Sequence, residues 1–484
     1  MDSRARIAVD LGAESCRVSL LRWRDGQPDI REVHRIPNGP VTSGHSLRWP
    51  LDAILSGIEE GLRKAAVAAP EGVASVAVDG WAVDYVHLDE DGKPLYDPFC
   101  YRDERTLATK ERTDKILPPE QAFRRTGAQP LRINTIYQLL ADSPDVADAP
   151  WLCLPEYVLH WLGASRIAEY TNATHTGLVE VATRNWARDL FETLNLPIEA
   201  APPIVQPGTR LGHIQGSLAQ LPAFRDTELI APPCHDTASA VAGIPADFGE
   251  TAYICSGTWS LVGTVVQQPN TSDKALAARY TNQGAATGGF CFHTNVNGMW
   301  LLKQCMESWS SAGRACSVER LVLEATACKV QAGTINVDAE PLLLAGNMPD
   351  RINSELLRRG HQPIPDVPGN EPLFARVIFE SLAARYAVAI ANLQQMLGRK
   401  LARIHMIGGA SRNRLLADLT SRRAGLPVDC GHAESSTIGN FAIQLAAAEG
   451  VPPESAQLRY EVRQWASRLS GPAPQPALSL RIPD

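Results

Sequence analysis

The stretch RIAVDLGAESCRVSLLRW, residues 6–23, alternates apolar and polar positions on both sides of a turn of small residues. Period-two alternation is the signature of a strand, so two such runs joined by a short turn read as a β-hairpin. About half a chain later TAYICSGTWSLVGTVV, residues 251–266, has the same plan: strand, Ser256-Gly257-Thr258 turn, strand. Two hairpins of one design imply two related domains facing each other, each opening with a turn of phosphate size. A third marker, LARIHMIGGASRNRLLADLTSRRAG (residues 401–425), runs a strand into Gly408-Gly409 and then a helix with Leu415, Leu416 and Leu419 on one face.

Between these markers helices alternate with strands. LDAILSGIEEGLRKAAVAAPEG (51–72) has helical spacing and a proline stop, and FARVIFESLAARYAVAIANLQQML (374–397) is a long apolar helix. VASVAVDGWAVDYVHLDEDGKPL (73–95) reads as one strand that turns at Asp91-Gly92. The alternation places the chain in the α/β class. The ending SGPAPQPALSLRIPD is Pro-rich and polar, a loose tail.

The bulk composition narrows the function. A length of 484 residues allows two to four domains, and 44% hydrophobic with 20% charged residues is ordinary for a globular protein. The 46 basic and 53 acidic residues leave a net charge of −7, and no segment concentrates Lys and Arg into a basic patch. Nucleic acid and anionic membranes are therefore not expected as partners. The N-terminus enters a strand without a signal-peptide core, and no run of about 18 apolar residues could span a bilayer, so the expected location is cytoplasmic. The ten cysteines form no Cys-x-x-Cys pair, which leaves most of them as buried thiols rather than zinc or redox ligands. Nothing in the pattern specifies an oligomeric state.

Gly-x-x-x-x-Gly-Lys-Ser/Thr, His-Glu-x-x-His, Gly-x-Ser-x-Gly and Gly-x-Gly-x-x-Gly are all absent from the sequence. What remains are hairpin turns whose backbone N–H groups and hydroxyls can wrap phosphate oxygens without a lysine. Asp10, at the end of the first strand beside Gly12, would repel bare phosphate; it either holds the magnesium ion of a metal-nucleotide or satisfies local N–H groups. Thr258 either bonds phosphate or serves its own turn. Gly408 and Gly409 either leave room for a flat adenosine or simply make a tight turn. In APPCHDTASAVAGI (231–244), Asp236 lies at or near a helix N-terminus, as a cap or as a base that accepts the proton of an attacking hydroxyl. His235 beside it is either a structural hydrogen-bonder or part of the site. Trp81 and Tyr85 are either an apolar wall for a ligand or core.

These segments, taken together and in order, resemble the FGGY carbohydrate kinases, and within that family its rhamnulokinase group most closely. IAVDLGAESCRV is similar to the family's first phosphate hairpin, VAVDGWAVDYVHLDEDGKPLYDPFCYRDERT to its sugar-side strand and loop, and CHDTASAV to its catalytic segment. YICSGTWSLVG resembles the second phosphate hairpin and HMIGGASRNRLLADLTS the adenosine loop. The resemblance implies two ribonuclease-H-like (actin-like) domains with the active-site cleft between them: residues 1–245 with the sugar side and first hairpin, residues 246–470 with the second hairpin and adenosine loop, then the tail 471–484. It implies Asp236 as general base and Asp10 as the residue associated with Mg²⁺. Ala13, Glu14, Ser15, Cys16, Arg17, Thr258, Lys303 and Gly409 take the positions of ATP contacts; Ala82, His235, Thr237 and Asn295 take those of sugar contacts.

The expected reaction is ATP-dependent phosphorylation of a ketose hydroxyl, L-rhamnulose at its 1-hydroxyl first. The alternatives are L-fuculose, a pentulose or a signalling polyol, or a regulator that binds nucleotide or sugar without turnover. The chain departs from the rhamnulokinase pattern at Cys16 and Ala410, where Gly is usual, and at Lys303, where Gln is usual. Gly80 and Ala82 replace Thr and Gly on the sugar strand, one removing a hydroxyl and one adding a methyl, so both are expected to alter the pocket.

Overall fold

The computed structural model describes residues 2–328 and 333–471, and the expected tail from residue 472 onward lies outside them. Two six-stranded sheets carry the fold. The first is built from β1 (Ala5–Leu11), β2 (Ser15–Arg24), β3 (Gln27–Pro37), β4 (Val73–Gly80), β5 (Arg210–His213) and β6 (Glu228–Ile230). The second is built from β7 (Thr251–Ser256), β8 (Trp259–Val266), β9 (Tyr280–Gly284), β10 (Phe290–Asn297), β11 (Arg403–Ile407) and β12 (Val428–Cys430).

The two sheets share a five-stranded core topology, with the sixth strand on opposite edges: β5 pairs with β6 in the first and β9 with β10 in the second. In the first, β2 runs antiparallel to β1 and β3, β4 runs parallel to β1, and β6 runs parallel to β4. In the second, β8 runs antiparallel to β7 and β10, β11 runs parallel to β7, and β12 runs parallel to β11. This is the ribonuclease-H-like arrangement, present twice, and both hairpins read from the sequence form its first two strands. β1 and β4 are buried at every position, as central strands covered on both faces must be.

The helices that shape the site are α1 (Leu51–Ala68), α2 (Asp236–Ala242), α3 (Trp300–Ser311), α4 (Glu371–Leu397), α5 (Arg414–Ala424), α6 (Ser435–Ala448) and α7 (Ala456–Ser470). Ile54, Ile58 and Leu62 of α1 bury one face of the first sheet, and Phe374, Ile378 and Leu382 of α4 pack on Ile254, Val262 and Phe292 of the second. The other faces are covered crosswise. α2 leaves the first sheet and packs Ala240 and Val241 on Tyr253 and Cys291 of the second. α6 and α7 leave the second and pack Phe441, Leu445 and Trp465 against Ala8 and Leu21 of the first.

The two crossing helices touch backbone to backbone. A Cβ on Gly439 would lie 1.8 Å from the Ser239 carbonyl oxygen, and one on Gly243 would lie 2.4 Å from that of Ser435. Ser436, Asn440 and Gln444, four residues apart on α6, point polar groups at Asp10, Asp79 and the Ile7 carbonyl of the first sheet.

The reading of residues 73–95 as one strand is corrected here. β4 stops at Gly80, and Tyr85–His87 pairs with Trp151–Cys153 outside the main sheet. The alternation of residue types continues across the break, so it gave no sign of it. The cause is Asp84: its buried carboxylate accepts the indole N–H of Trp49 at 2.6 Å and of Trp81 at 3.0 Å, and an amide N–H of Gln138 at 3.0 Å. Turning the chain to reach them puts Val83 at φ 74°, a region costly for a β-branched residue. The turn at Gly92 forms as expected, with φ 79° and Asp89 N–H donating to the Lys93 carbonyl at 2.8 Å. All ten cysteines are free, six of them buried.

The crossing makes a direct prediction. Gly439→Ala drives a methyl into the Ser239 carbonyl, and overpacking of a close contact costs typically about 1–3 kcal/mol. Urea unfolding should show that loss or more, with the slope of the transition unchanged.

Candidate active site

β1 delivers Asp10 to the cleft 2% exposed, and β2 places Arg17 directly opposite it in register. Arg17 donates to Asp10 Oδ2 at 2.7 Å and to Glu434 Oε2 at 2.7 Å, tying the first hairpin to the residue that precedes α6. Ser436 Oγ donates to the same Asp10 oxygen at 2.7 Å, while Asp10 Oδ1 is buried without a partner. Of the turn residues, Ala13 packs on the first core, Ser15 Oγ accepts from Arg35 at 3.1 Å, and Cys16 is fully buried. Burial pushes the Cys16 thiol up to about 12, so it is neutral and contributes its backbone rather than its sulfur.

Glu14 is exposed at the tip of the hairpin and reaches across the cleft. It pairs with Lys303 Nζ of α3 at 2.7 Å and accepts from Thr258 Oγ1 at 3.2 Å. Three of the residues expected around a nucleotide thus meet one another, one from each hairpin and one from α3. On the far side, Gly408 has φ 81°, and a Cβ there would sit 2.8 Å from the Ser256 carbonyl oxygen. Only glycine fits position 408. Gly409 next to it is exposed, and a Cβ there would meet no atom within 4 Å. The open space expected for a flat ring is therefore at residue 409, while Gly408 serves the turn. Ala410 is buried and makes no opening.

Asp236 is the first residue of α2, and His235 is the capping position. The His235 side chain makes no cap bond; Thr237 Oγ1 donates to Asp236 Oδ1 at 3.2 Å, and His235 Nε2 lies 3.4 Å from the same oxygen. The Asp236 side chain remains 37% exposed. Desolvation, with the charge of Asp10 as the second cause, raises its carboxyl to about 7. Burial pushes the His235 ring down to about 3, so its contact with Asp236 is not an ion pair.

Ala82 lies in the break after β4, 7% exposed; Thr237 is 6% exposed and His235 8%. Asn295 of β10 lies opposite Leu261, which lies opposite Cys255, so all three share the sheet face that receives α2. Gly80 does not face this pocket, contrary to expectation. A Cβ there would lie 2.6 Å from that of Leu11, and its N–H is bound to the Cys234 carbonyl at 2.9 Å. Tyr85 and Trp81 belong to the core rather than to a ligand wall: Tyr85 packs with Ile136 and Trp151 and bonds Asp142, and Trp81 stacks on Trp49 with ring centroids 4.4 Å apart.

Family models match this chain over nearly its whole length: the N-terminal domain of the FGGY family of carbohydrate kinases over residues 5–243, and the C-terminal domain over residues 252–448. The chain is a member of the FGGY carbohydrate kinase family. The kinase is 33% identical to the rhamnulokinase of Bacteroides thetaiotaomicron over 442 residues, 90% of this chain and 89% of that one. It is 34% identical to the rhamnulokinase of Enterobacter sp. strain 638, covering 92% of this chain and 90% of that one. Its fold is shared with the gluconate kinase of Lactobacillus acidophilus, at TM-score 0.76 and 18% identity over 95% of this chain and 92% of that one. The xylulose kinase of the same organism gives TM-score 0.76 and 17% identity with the same coverage. It is thus an ATP-dependent sugar kinase. Among the described residues no helix is long and apolar enough to cross a membrane.

Sequence reasoning passed over Asp79, which lies beside Asp10 in parallel register and is fully buried. Its Oδ2 accepts from Asn440 Nδ2 at 2.6 Å and from Ser239 Oγ at 3.2 Å, one donor from each crossing helix. Burial and the charge of Asp10 raise its carboxyl well above the ordinary range. The signal was present: IAVDLG and VAVDGW end two strands of the same pattern with the same acid.

Because the folded kinase raises Asp236 above its unfolded value, ionising it costs stability, and that cost grows as pH rises from about 4 through about 7. Asp236→Asn removes the charge. Its melting temperature should exceed the parent's by about one to a few degrees at pH 8, and the difference should vanish near pH 4, read by paired thermal melts.

Proposed function

We propose that the kinase transfers the γ-phosphoryl group of ATP to the 1-hydroxyl of a 6-deoxyketose, L-rhamnulose first among them. The observation that carries this reading is Asp236: a part-exposed carboxylate at the start of α2, beside a neutral His235 and with its acidity weakened to near neutral. That is the protonation behaviour required of a base that accepts a hydroxyl proton at physiological pH. The sugar hydroxyl oxygen forms its bond to the γ-phosphorus as the bond to the bridging oxygen breaks, the proton passes to Asp236, and ADP leaves. The identity to rhamnulokinases at 33% and 34% supports a ketose acceptor of their kind.

His235, Thr237, Ala82 and Asn295 hold the sugar in this reading. Ala13 to Arg17 and Thr258 contact the phosphates, Lys303 approaches them from α3, and Gly409 leaves the space for adenosine. Asp10 fits a hard divalent cation such as Mg²⁺: one carboxylate oxygen is already buried without a partner, and oxygen is the donor such an ion requires. Among the described residues no group of three His, Cys, Asp or Glu could hold an ion unaided, so a bound ion would need oxygens of the nucleotide beside Asp10. When bound, the ion supplies neutralisation of charge on the transferring phosphoryl group. The protein is proposed to act in the cytoplasm, where ATP is abundant.

Three measurements test this reading. Asp236→Asn should lower kcat by about a hundredfold to ten-thousandfold with little change in the sugar KM, because the base acts as the proton moves; a kcat within about threefold of the parent overturns the mechanism. Gly409→Val should raise the ATP KM and leave the sugar KM and the melting temperature nearly unchanged, since position 409 is open and the valine fills only the proposed adenosine space. A ketose panel at fixed ATP and Mg²⁺, scored by ADP release, should rank 6-deoxyketoses at least about tenfold above glycerol in kcat/KM. Highest turnover with glycerol or a pentulose would move the acceptor and leave the phosphoryl transfer standing.

A further inference from the structure

Two glutamates lie wholly buried behind the sugar side of the cleft, and the phosphoryl-transfer reading uses neither. Glu169 is 0% exposed, at the start of the short helix Tyr170–Ala173. Every group that faces its carboxylate is a donor. Oε1 accepts the Thr171 N–H at 2.9 Å; Oε2 accepts the Thr171 hydroxyl at 2.6 Å, the Cys234 N–H at 2.7 Å and the Asn172 N–H at 3.4 Å. Backbone N–H groups can only donate, so this nest is built for an acceptor on both oxygens. Glu156 closes the back, accepting the Glu169 N–H at 3.1 Å and the Asn172 side-chain amide at 2.8 Å.

The Cys234 N–H is the informative donor, because it belongs to the peptide two residues before Asp236. The Cys234 carbonyl accepts the Gly80 N–H at 2.9 Å, so residue 234 is gripped on one side by the end of β4 and on the other by Glu169. The Thr171 hydroxyl, while donating to Glu169, accepts the His235 N–H at 3.4 Å. The two residues that lead into α2 therefore hang from one carboxylate and one hydroxyl. Asp236 itself has few anchors of its own, being 37% exposed and bonded only weakly by its neighbours. Its position is inherited from the backbone before it.

We propose that Glu169, acting through the Cys234 N–H and the Thr171 hydroxyl, is the positioning residue that sets where the carboxylate of Asp236 stands in the cleft. This rests on Asp236 being the base. Glu169 touches no substrate; it replaces the flexibility of a strand-to-helix loop with a buried carboxyl group fixed among N–H and O–H donors, and a misplacement of about 1 Å at a reacting group can cost on the order of a hundredfold in rate.

The test is steady-state kinetics of Glu169→Gln and Thr171→Val beside thermal melts and calorimetric titration of ATP sites. Glutamine keeps the shape but turns an NH₂ toward donors; valine keeps the shape of threonine but removes the hydroxyl. Both variants should lose about tenfold to a hundredfold in kcat per titrated ATP site, with the ATP KM within about twofold of the parent, and Thr171→Ser should restore the parent kcat. A purely structural role would lower the melting temperature or the number of ATP sites and leave kcat per site unchanged, and that result overturns the proposal. If Glu169→Gln does not fold, the Thr171 pair decides: a kcat per site within about threefold for Thr171→Val overturns the proposal, and a serine-rescued loss sustains it. The two readings fail separately. Loss in Asp236→Asn with none in these variants removes only Glu169, whereas an active Asp236→Asn removes the base.

Discussion

The close crossing of α2 and α6 is the contact on which the rest of the site depends. With Gly439 over the Ser239 carbonyl and Gly243 over that of Ser435, the helices approach as far as backbone allows. No side chain separates them, so a shift of one is transmitted to the other. α2 begins with Asp236 and α6 carries Ser436 and Asn440 to the two carboxylates of the first sheet. The distance between α2, which begins with Asp236, and the first hairpin is thus limited sterically at the crossing. Each helix covers the sheet its own domain did not supply, and the hydrophobic burial of both sheets holds the crossing shut.

How much of this was legible depended on how local the cause was. The two hairpins were readable because alternation and a small-residue turn lie within 20 residues of chain. Gly408 was readable as a turn glycine, and its φ of 81° shows why no other residue serves. The break at Trp81–Asp84 was not readable, since its cause includes Trp49 and Gln138, 35 and 54 residues away from Asp84 in sequence. The packing of α6 on the first sheet was equally hidden, because an apolar helix face does not say which sheet it covers. Gly80 shows the opposite failure. It was read as a change in the sugar pocket because the resemblance places Thr at this position, when its missing side chain makes room for Leu11.

Electrostatics explains why the carboxylates at this crossing are not equivalent. Asp10 is paired with the guanidinium of Arg17 at 2.7 Å. Asp79, opposite it in register and without a cation of its own, is pushed toward its neutral form by burial and by Asp10, which lets two acids stand side by side on adjacent strands. Asp236 lies between these extremes, exposed enough to ionise and desolvated enough to hold a proton near pH 7.

That intermediate state survives only because no cation is placed on it. Arg17 is already spanned between Asp10 and Glu434, with 2.7 Å contacts to each, and cannot turn to Asp236 without breaking both. His235, the nearest basic group, is kept neutral by the same burial that raises the aspartate. A cation brought into contact with Asp236 would lower its affinity for a proton beyond the effect that Arg17 already has at a distance. The Arg17–Glu434 pair therefore does two things at once: it ties the first hairpin to α6, and it keeps the guanidinium committed to Asp10 and Glu434. Glu434 immediately precedes α6 in sequence, so the charge arrangement around Asp10 and the steric crossing of the helices are set by neighbouring residues of one segment.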